Sequence, residues 1–142
     1  MISQIALALL LSLLAPPENR LERAIIQVES AGRDDLIGTS GERGAWQVMP
    51  LYGCCRLGLT ARQHPRKRQL QFCRQHYRTL APLWAWRPLN RLSGRAVLAR
   101  WLHRARGNVE LAIRSYNCGE GGLTRRCGDQ YLARIRQAGG RW

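Results

Sequence analysis

Residues 19–32 read NRLERAIIQVESAG and carry the apolar spacing of an amphipathic helix. The apolar side chains recur at intervals of three and four residues, which places them on one helix face; they are Leu21, Ala24, Ile25 and Val28. Asn19 is a favourable N-cap residue, and Gly32 is a common helix terminator. The spacing therefore predicts a helix over residues 19–31 with one buried face.

Most of the remaining chain shows helical patterning as well. We predict further helices over about 61–81, 95–106, 108–116 and 128–138, with a loop over 33–45. Pro82, Pro88 and Gly94 predict a connector over residues 82–94. No long strand-type alternation is present, although a small hairpin fits residues 36–48. The predicted fold class is all-α, or α with a very small β-hairpin.

The 142 residues carry 23 Lys and Arg against 9 Asp and Glu, a formal net charge of +14. The length fits one domain, since domains contain roughly 100–200 residues. The charge favours an anionic partner such as nucleic acid, a membrane surface or an acidic cell-wall polymer. Basic stripes at 62–68 and 100–106 suit phosphates, but no recognition-helix motif accompanies them. Nucleic acid is therefore the less favoured partner.

The first residues, MISQIALALLLSLLA, form an uncharged leader. Its apolar segment from Ile5 to Ala15 has the length of a signal-peptide core and is shorter than the roughly 20 residues that span a bilayer. We predict a signal peptide or hydrophobic anchor over residues 1–16, with the functional domain over 17–142. A first helix packed into the core is the alternative. The interpretation as a leader places the protein in the periplasm or elsewhere outside the cytoplasm.

The five cysteines contain no Cys-x-x-Cys pair and have no histidine at ligand spacing, so we predict no metal site. Disulfides in an exported chain are the favoured interpretation. Cys118 and Cys127 bracket the glycine-rich stretch CGEGGLTRRC and form a candidate disulfide. Cys73 then has Cys54 or Cys55 as a partner. Five reduced cysteines in a cytosolic protein are the alternative.

Glu29 falls in the last turn of the first predicted helix, at the edge of its apolar stripe. The negative end of the helix dipole and partial burial both disfavour the ionised carboxylate, so they raise its pKa. A general acid that works near neutral pH needs a raised pKa. Glu29 is therefore the candidate catalytic acid, with an ordinary exposed helix glutamate as the alternative.

Three segments occur in an order that is typical of one enzyme family. They are AIIQVESAG over 24–32, GTSGERGAWQVMP over 38–50 and AIRSYNCGEGG over 112–122. In this order they resemble the signatures of the soluble lytic transglycosylase family, which is related to goose-type lysozyme. Residues 131–135 also look like the last helix of that family. The resemblance covers residues 20–50 and 94–136.

The resemblance implies a lysozyme-like helical domain that cleaves the β-1,4 bond between N-acetylmuramic acid and N-acetylglucosamine in peptidoglycan. Glu29 matches the catalytic residue, which acts as acid and then as base while the muramic acid closes a 1,6-anhydro ring. The resemblance places substrate-binding positions at Ser30, Ser40, Gly44, Gln47, Tyr116 and Asn117, of which Ser30 and Gln47 orient either Glu29 or the substrate. The alternatives are a helix C-terminal cap for Ser30 and ordinary packing for Tyr116. It implies no cofactor and a monomer whose partners are glycan strands and, through its charge, anionic wall polymers. A phage-encoded wall-degrading protein fits the same features.

The chain departs from the family pattern at Ala45 and Trp46, where the family has Leu and Met. Trp46 either stacks on a sugar ring or fills the core. Trp84 and Trp86 likewise either line a glycan cleft or form a hydrophobic lid.

A hydrolase of the lysozyme type is the alternative activity, because most glycosidases use two carboxylates. Asp34, Asp35 and Glu42 lie in the loop after Glu29 and are the candidates for the second carboxylate.

Overall fold

The computed structural model describes residues 10, 13–50, 71, 74–76 and 78–142. The elements with defined ends are, in chain order, α1 Arg20–Ser30, a 3₁₀ helix Ala81–Ala85, α2 Arg87–Arg104, α3 Val109–Cys118, α4 Glu120–Leu123 and α5 Asp129–Gln137. The described part is mostly helical and contains no sheet, which confirms the predicted all-α fold. The hairpin expected over 36–48 is reduced there to two isolated antiparallel bridges, Ile37 with Arg43 and Arg43 with Val48.

Helix α1 begins directly after its predicted N-cap, Asn19, and ends at Ser30, one residue before the predicted end. The Asn19 side chain accepts a hydrogen bond from the Glu22 amide, and the Glu22 carboxylate accepts one from the Asn19 amide, both at 2.9 Å. This reciprocal capping box satisfies two amides that a helix start leaves free. Ala31 ends the helix in the left-handed conformation, with φ of 52°. Local sequence alone thus sets the position of this helix.

Helix α2 begins at Arg87, so the connector predicted over 82–94 was wrong beyond residue 86. Pro88 lies in the first turn, where a helix needs no amide hydrogen and tolerates proline. Gly94 lies inside the helix with the ring of Trp46 packed directly on it, so a methyl group at this position would collide with that ring. Both residues that suggest a helix break are therefore accommodated within α2.

Arginines on one side of α2 attach it to α1. Arg95 donates to both carboxylate oxygens of Glu22, at 2.7 and 2.8 Å. Arg87 and Arg91 pair with Glu18, just before α1, at 3.4 and 3.8 Å. Part of the arginine excess therefore fixes one helix against another.

The core is formed by α1, α2, α3, α5, the 3₁₀ helix and the loop over residues 31–49. Trp46 and Trp84 are fully buried in it, so the interpretation of Trp46 as core filler is confirmed and stacking on a sugar is excluded. The Trp84 indole donates to the Ser93 hydroxyl at 2.9 Å. Trp86 remains 39% exposed.

Some predictions fall on residues that the structure does not describe. These are Cys54, Cys55, Cys73, the basic stripe at 62–68, most of the helix predicted over 61–81, and the leader apart from residues 10 and 13–16. Among the helices that are described, none is long and apolar enough to cross a membrane.

Candidate active site

The loop that carries Gly44, Trp46 and Gln47 is held in place by one buried side chain from α2. The Asn90 carboxamide accepts from the Trp46 amide at 2.8 Å and donates to the Arg43 and Trp84 carbonyls at 2.7 and 2.8 Å. Gly44 has φ of +72°, and a Cβ atom there would lie 2.7 Å from the Asn90 amide nitrogen. A glycine is therefore required at 44 for both its conformation and its close contact.

Ser30 fixes the other side of the same loop. Its hydroxyl lies 2.9 Å from the Ala45 carbonyl oxygen and 3.1 Å from that of Ile26, and it accepts from the Gly32 amide at 3.2 Å. Only 4% of Ser30 is exposed. Ser30 thus joins the end of α1, where Glu29 lies, to the loop that carries Gln47.

Gln47 adopts the left-handed conformation with φ of 45°, which is uncommon for a residue other than glycine. Its side-chain amide donates to the Gly44 carbonyl at 2.8 Å and to the Leu36 carbonyl at 3.2 Å. These bonds fold the side chain back onto its own loop. Strained backbone of this kind persists where surrounding contacts hold it, and it concentrates at functional sites.

Glu29 is half-buried and has a single hydrogen-bond partner among the described residues. The Tyr131 hydroxyl, from α5, donates to Glu29 Oε1 at 2.6 Å. Burial raises the pKa of Glu29 above the ordinary 4.5, and the negative charge of Glu42 adds to the rise. The Tyr131 hydrogen bond and Arg134 act in the opposite direction, without cancelling the rise in pKa. Glu29 therefore keeps its proton to higher pH than an exposed glutamate does.

Glu29 lines a cleft of about 600 Å³. Its walls come from α1, the loop, α2, α3 and α4. The lining residues are Glu29, Gly38, Thr39, Glu42, Gln47, Val48, Met49, Val97, Arg100, Trp101, Ser115, Tyr116, Asn117, Gly119 and Glu120. A cleft of this volume has the size of a small-molecule or oligosaccharide site.

Tyr116 and Asn117, in the last turn of α3, contribute another part of the lining. The Tyr116 hydroxyl donates to the Trp46 carbonyl at 2.8 Å, so α3 is bonded directly to the loop. Burial and the neighbouring Glu29 raise the pKa of Tyr116 well above that of a free phenol. Burial has the same effect on the pKa of Tyr131, so both hydroxyls remain donors at neutral pH.

The structure brings together four of the seven residues that the resemblance singled out. Glu29, Gln47, Tyr116 and Asn117 line one cleft, whereas Ser30, Ser40 and Gly44 do not line it. Ser30 and Gly44 are buried, and their contacts shape the loop. Ser40 is exposed on the loop, where its amide donates to Glu42 Oε2 at 3.0 Å.

The three candidates for a second carboxylate differ in whether they line the cleft. Asp34 pairs with Arg87 at 2.8 Å, and neither Asp34 nor Asp35 lines the cleft. Glu42 does line it, and its charge contributes to the raised pKa of Glu29. Of the three candidates, Glu42 alone lies in the cleft lining, which it shares with Glu29 and Glu120.

Tyr131 and Asn90, which position the residues of the site, were not identified from the sequence. Tyr131 lies 102 residues from its partner Glu29, and nothing local to either residue indicates the pairing. Asn90 was placed in a connector, although its three hydrogen bonds hold the loop. Asn90 lies between Pro88 and Gly94. The one sequence feature that could have indicated a helix there is Pro88, because proline is common in the first turn of a helix.

Cys118 and Cys127 form a disulfide, which confirms the candidate pair. It joins the last residue of α3, next to Asn117, to the residue before Gly128 at the start of α5. The wall that carries Asn117 and the helix that carries Tyr131 are thereby linked covalently.

Replacing both Cys118 and Cys127 by serine is expected to lower the free energy of unfolding by about 2–3 kcal/mol, because the unfolded chain regains the freedom of a short loop. Urea unfolding, followed by the tryptophan fluorescence, measures the change. The wild type and the double variant should unfold at the same urea concentration once both are reduced. A difference that persists under reduction would show that the serines disturb packing and that the crosslink is not the cause.

The described residues contain no group of three or more His, Cys, Asp or Glu side chains that could hold a metal ion. Comparisons of the chain with protein-family models, curated proteins and solved structures returned no significant match.

Proposed function

We propose that this protein is a peptidoglycan lytic transglycosylase of the soluble lytic transglycosylase family, with a lysozyme-like helical domain. The observation that supports this most strongly is the meeting of three separate segments in one cleft. Glu29 from the first segment, Gln47 from the second, and Tyr116 with Asn117 from the third all line it. These are the segments that resemble the family's signatures, in the family's order.

In this mechanism Glu29 protonates the glycosidic oxygen as the bond to the anomeric carbon breaks. The resulting carboxylate then takes the proton of the muramic acid 6-hydroxyl, whose oxygen attacks the anomeric carbon and closes the 1,6-anhydro ring. The raised pKa of Glu29 suits the first step, because the acid must be protonated when substrate binds. Tyr131 holds one carboxyl oxygen, which fixes the orientation of the group.

The cell wall outside the cytoplasm is the proposed setting. A disulfide is typical of an oxidising compartment, and the net charge of +14 favours encounter with anionic wall polymers. The protein is proposed to act there as a monomer and without a cofactor.

The decisive experiment is mass spectrometry of the fragments that the purified protein releases from peptidoglycan. A transglycosylase leaves 1,6-anhydromuramic acid ends, each lighter by one water than a reducing end. Release of no fragments, under conditions in which a reference lysozyme clears the same preparation, would overturn the proposal.

A lysozyme-type hydrolase is the second candidate, and Glu42 is the observation that favours it. A hydrolase requires a carboxylate that activates water or forms a covalent intermediate, and Glu42 shares the cleft with Glu29. That reaction leaves reducing ends, and Glu42→Gln should then abolish it. If anhydro ends form and Glu42→Gln retains most activity, one carboxylate suffices.

Tyr131→Phe is expected to shift the alkaline limb of the pH profile of kcat/KM to higher pH. The Tyr131 hydrogen bond lowers the pKa of Glu29, so its loss raises that pKa further and keeps the acid protonated to higher pH. The measurement is the rate of anhydro-end formation across the pH range. Tyr116→Phe is the matched control, since its hydroxyl bonds to the Trp46 carbonyl and not to Glu29. An unshifted limb in Tyr131→Phe would contradict this role.

A further inference from the structure

Arg100 differs from the other arginines of α2 in having no acidic partner in the described structure. Arg87 and Arg91 pair with Glu18, Arg95 pairs with Glu22, and Arg104 pairs with Glu120. Those pairs account for the arginines of α2 that precede and follow position 100.

Arg100 is also the only basic residue in the lining of the cleft as the described residues define it. Three carboxylic acids, Glu29, Glu42 and Glu120, share that lining. Arg104 pairs with Glu120 at 2.9 Å. Neither Glu29 nor Glu42 forms an ion pair with Arg100 in the described part of the chain, so the cleft presents one guanidinium that no carboxylate there holds.

The guanidinium of Arg100 is held in place by a ring. Its Cζ atom lies 5.2 Å from the centroid of the Trp101 indole, and Trp101 is itself packed against Ala105 and Ala112 with only 9% exposed. A guanidinium stacked on an aromatic face keeps its N–H donors at the edges, where they can meet a planar anion. The cation is thus oriented before any ligand arrives.

Glu29 is hydrogen-bonded to Tyr131 and not to Arg100 in the described part of the chain. Arg100 can therefore meet a ligand in the cleft without giving up a contact to the proposed catalytic acid.

We propose that Arg100 binds a carboxylate of the substrate and so makes the cleft select peptidoglycan strands over uncharged glycans of the same backbone. This inference rests on the proposed function. A carboxylate matches the guanidinium in two parallel hydrogen bonds. N-acetylglucosamine carries no carboxylate. Muramic acid supplies one, either on its peptide stem or, when the stem has been removed, on its lactyl group.

The test measures binding by the full-length Glu29→Gln protein, which is inactive under the proposed mechanism, so that no ligand is consumed. Three tetrasaccharides of equal length are titrated calorimetrically: one with peptide stems, one freed of them by an amidase, and a chitin tetrasaccharide. We expect the carboxylate-bearing ligands to bind at least about tenfold more tightly than the chitin ligand, as suits a hydrogen-bonded charge pair.

Adding Arg100→Gln should remove that preference and leave binding of the chitin ligand unchanged, while Arg100→Lys should retain part of it. Arg106→Gln is the matched control, because Arg106 is exposed, lies outside the cleft lining and carries the same charge. A loss confined to the peptide-bearing ligand identifies the stem, and a loss with both carboxylate-bearing ligands identifies the muramic acid itself.

Equal weakening of all three ligands by Arg100→Gln would overturn the inference, as would the absence of any preference in the parent protein. Cleavage of peptidoglycan by the wild type is measured alongside. Arg100-dependent binding without cleavage would refute the proposed function and retain the carboxylate site. Cleavage of peptidoglycan without any effect of Arg100→Gln on binding would retain the proposed function and refute the carboxylate site.

Discussion

Glu29→Gln is expected to lower the rate of peptidoglycan cleavage by at least about 10²–10⁴-fold, the contribution of a positioned general acid. Glutamine has nearly the shape of glutamate and can still accept the Tyr131 hydrogen bond, but it can neither give nor take the proton. The rate of anhydro-end formation, followed by mass spectrometry, measures the loss. Retention of a tenth or more of the wild-type rate would show that Glu29 is not the acid.

The same variant should fold at least as stably as the wild type at neutral pH. The folded-state pKa of Glu29 is raised, so the stability that its protonated form contributes is present in acid and is lost as pH rises through that pKa. Glutamine stays neutral and avoids this loss. Its advantage in melting temperature should therefore shrink as pH falls below the ordinary 4.5.

Glu110→Gln is the matched control for the loss of activity. Glu110 lies in the first turn of α3, pairs with Arg136 and does not line the cleft. The change in charge is the same as in Glu29→Gln, yet the cleavage rate should remain at the wild-type value. Comparable losses in the two variants would point to net charge instead of proton transfer.

Asn90→Ala is expected to lower the free energy of unfolding by about 2–6 kcal/mol, at about 1–3 kcal/mol for each buried group that loses its partner. The change removes three hydrogen bonds and leaves the Trp46 amide and the Trp84 carbonyl without the Asn90 side chain, while the Arg43 carbonyl keeps its bond from the Val48 amide. Domains of this size have total stabilities of about 5–15 kcal/mol, so the loss is a large share of the total. Urea denaturation gives the midpoint, and an unchanged slope would show that the same cooperative unit unfolds.

Ser93→Ala provides the comparison for Asn90→Ala. Ser93 lies one turn further along α2, is equally buried, and makes one hydrogen bond to the Trp84 indole. Its loss should cost about 1–2 kcal/mol, because a single buried donor is left without a partner. If the two variants cost the same, Asn90 is ordinary core and does not hold the loop.

The accuracy of the sequence predictions depends on how local the determining contacts are. Helix α1 was predicted with its cap, since Asn19 and Glu22 lie within one turn of each other. The start of α2 was missed because Pro88 and Gly94 look like breakers until the contact between Gly94 and Trp46 is known. A contact across 48 residues of chain leaves no periodic signal in either segment.

The same limit applies to the candidate site. Glu29 and the residues of the family signatures could be selected by resemblance, and four of those seven meet in the cleft. The hydrogen bond between Tyr131 and Glu29 could not be predicted in this way, because Tyr131 reaches Glu29 only after α5 packs against α1. Arg100 looked like one charge in a basic stripe. Only the structure shows that Arg100 has no acidic partner in the described part of the chain, whereas the neighbouring arginines of α2 each have one.

The packing of Trp46 on Gly94 makes the substitutions allowed at each position depend on the residue at the other. Any side chain at 94 excludes the indole, so Gly94 cannot change while Trp46 remains. Loss of the indole, by contrast, leaves room that a side chain at 94 can fill. Once that has happened, tryptophan cannot return to 46 before glycine returns to 94. Related sequences should therefore either keep both Trp46 and Gly94 or have replaced Trp46 before Gly94, and the second replacement makes a return to tryptophan at 46 unfavourable.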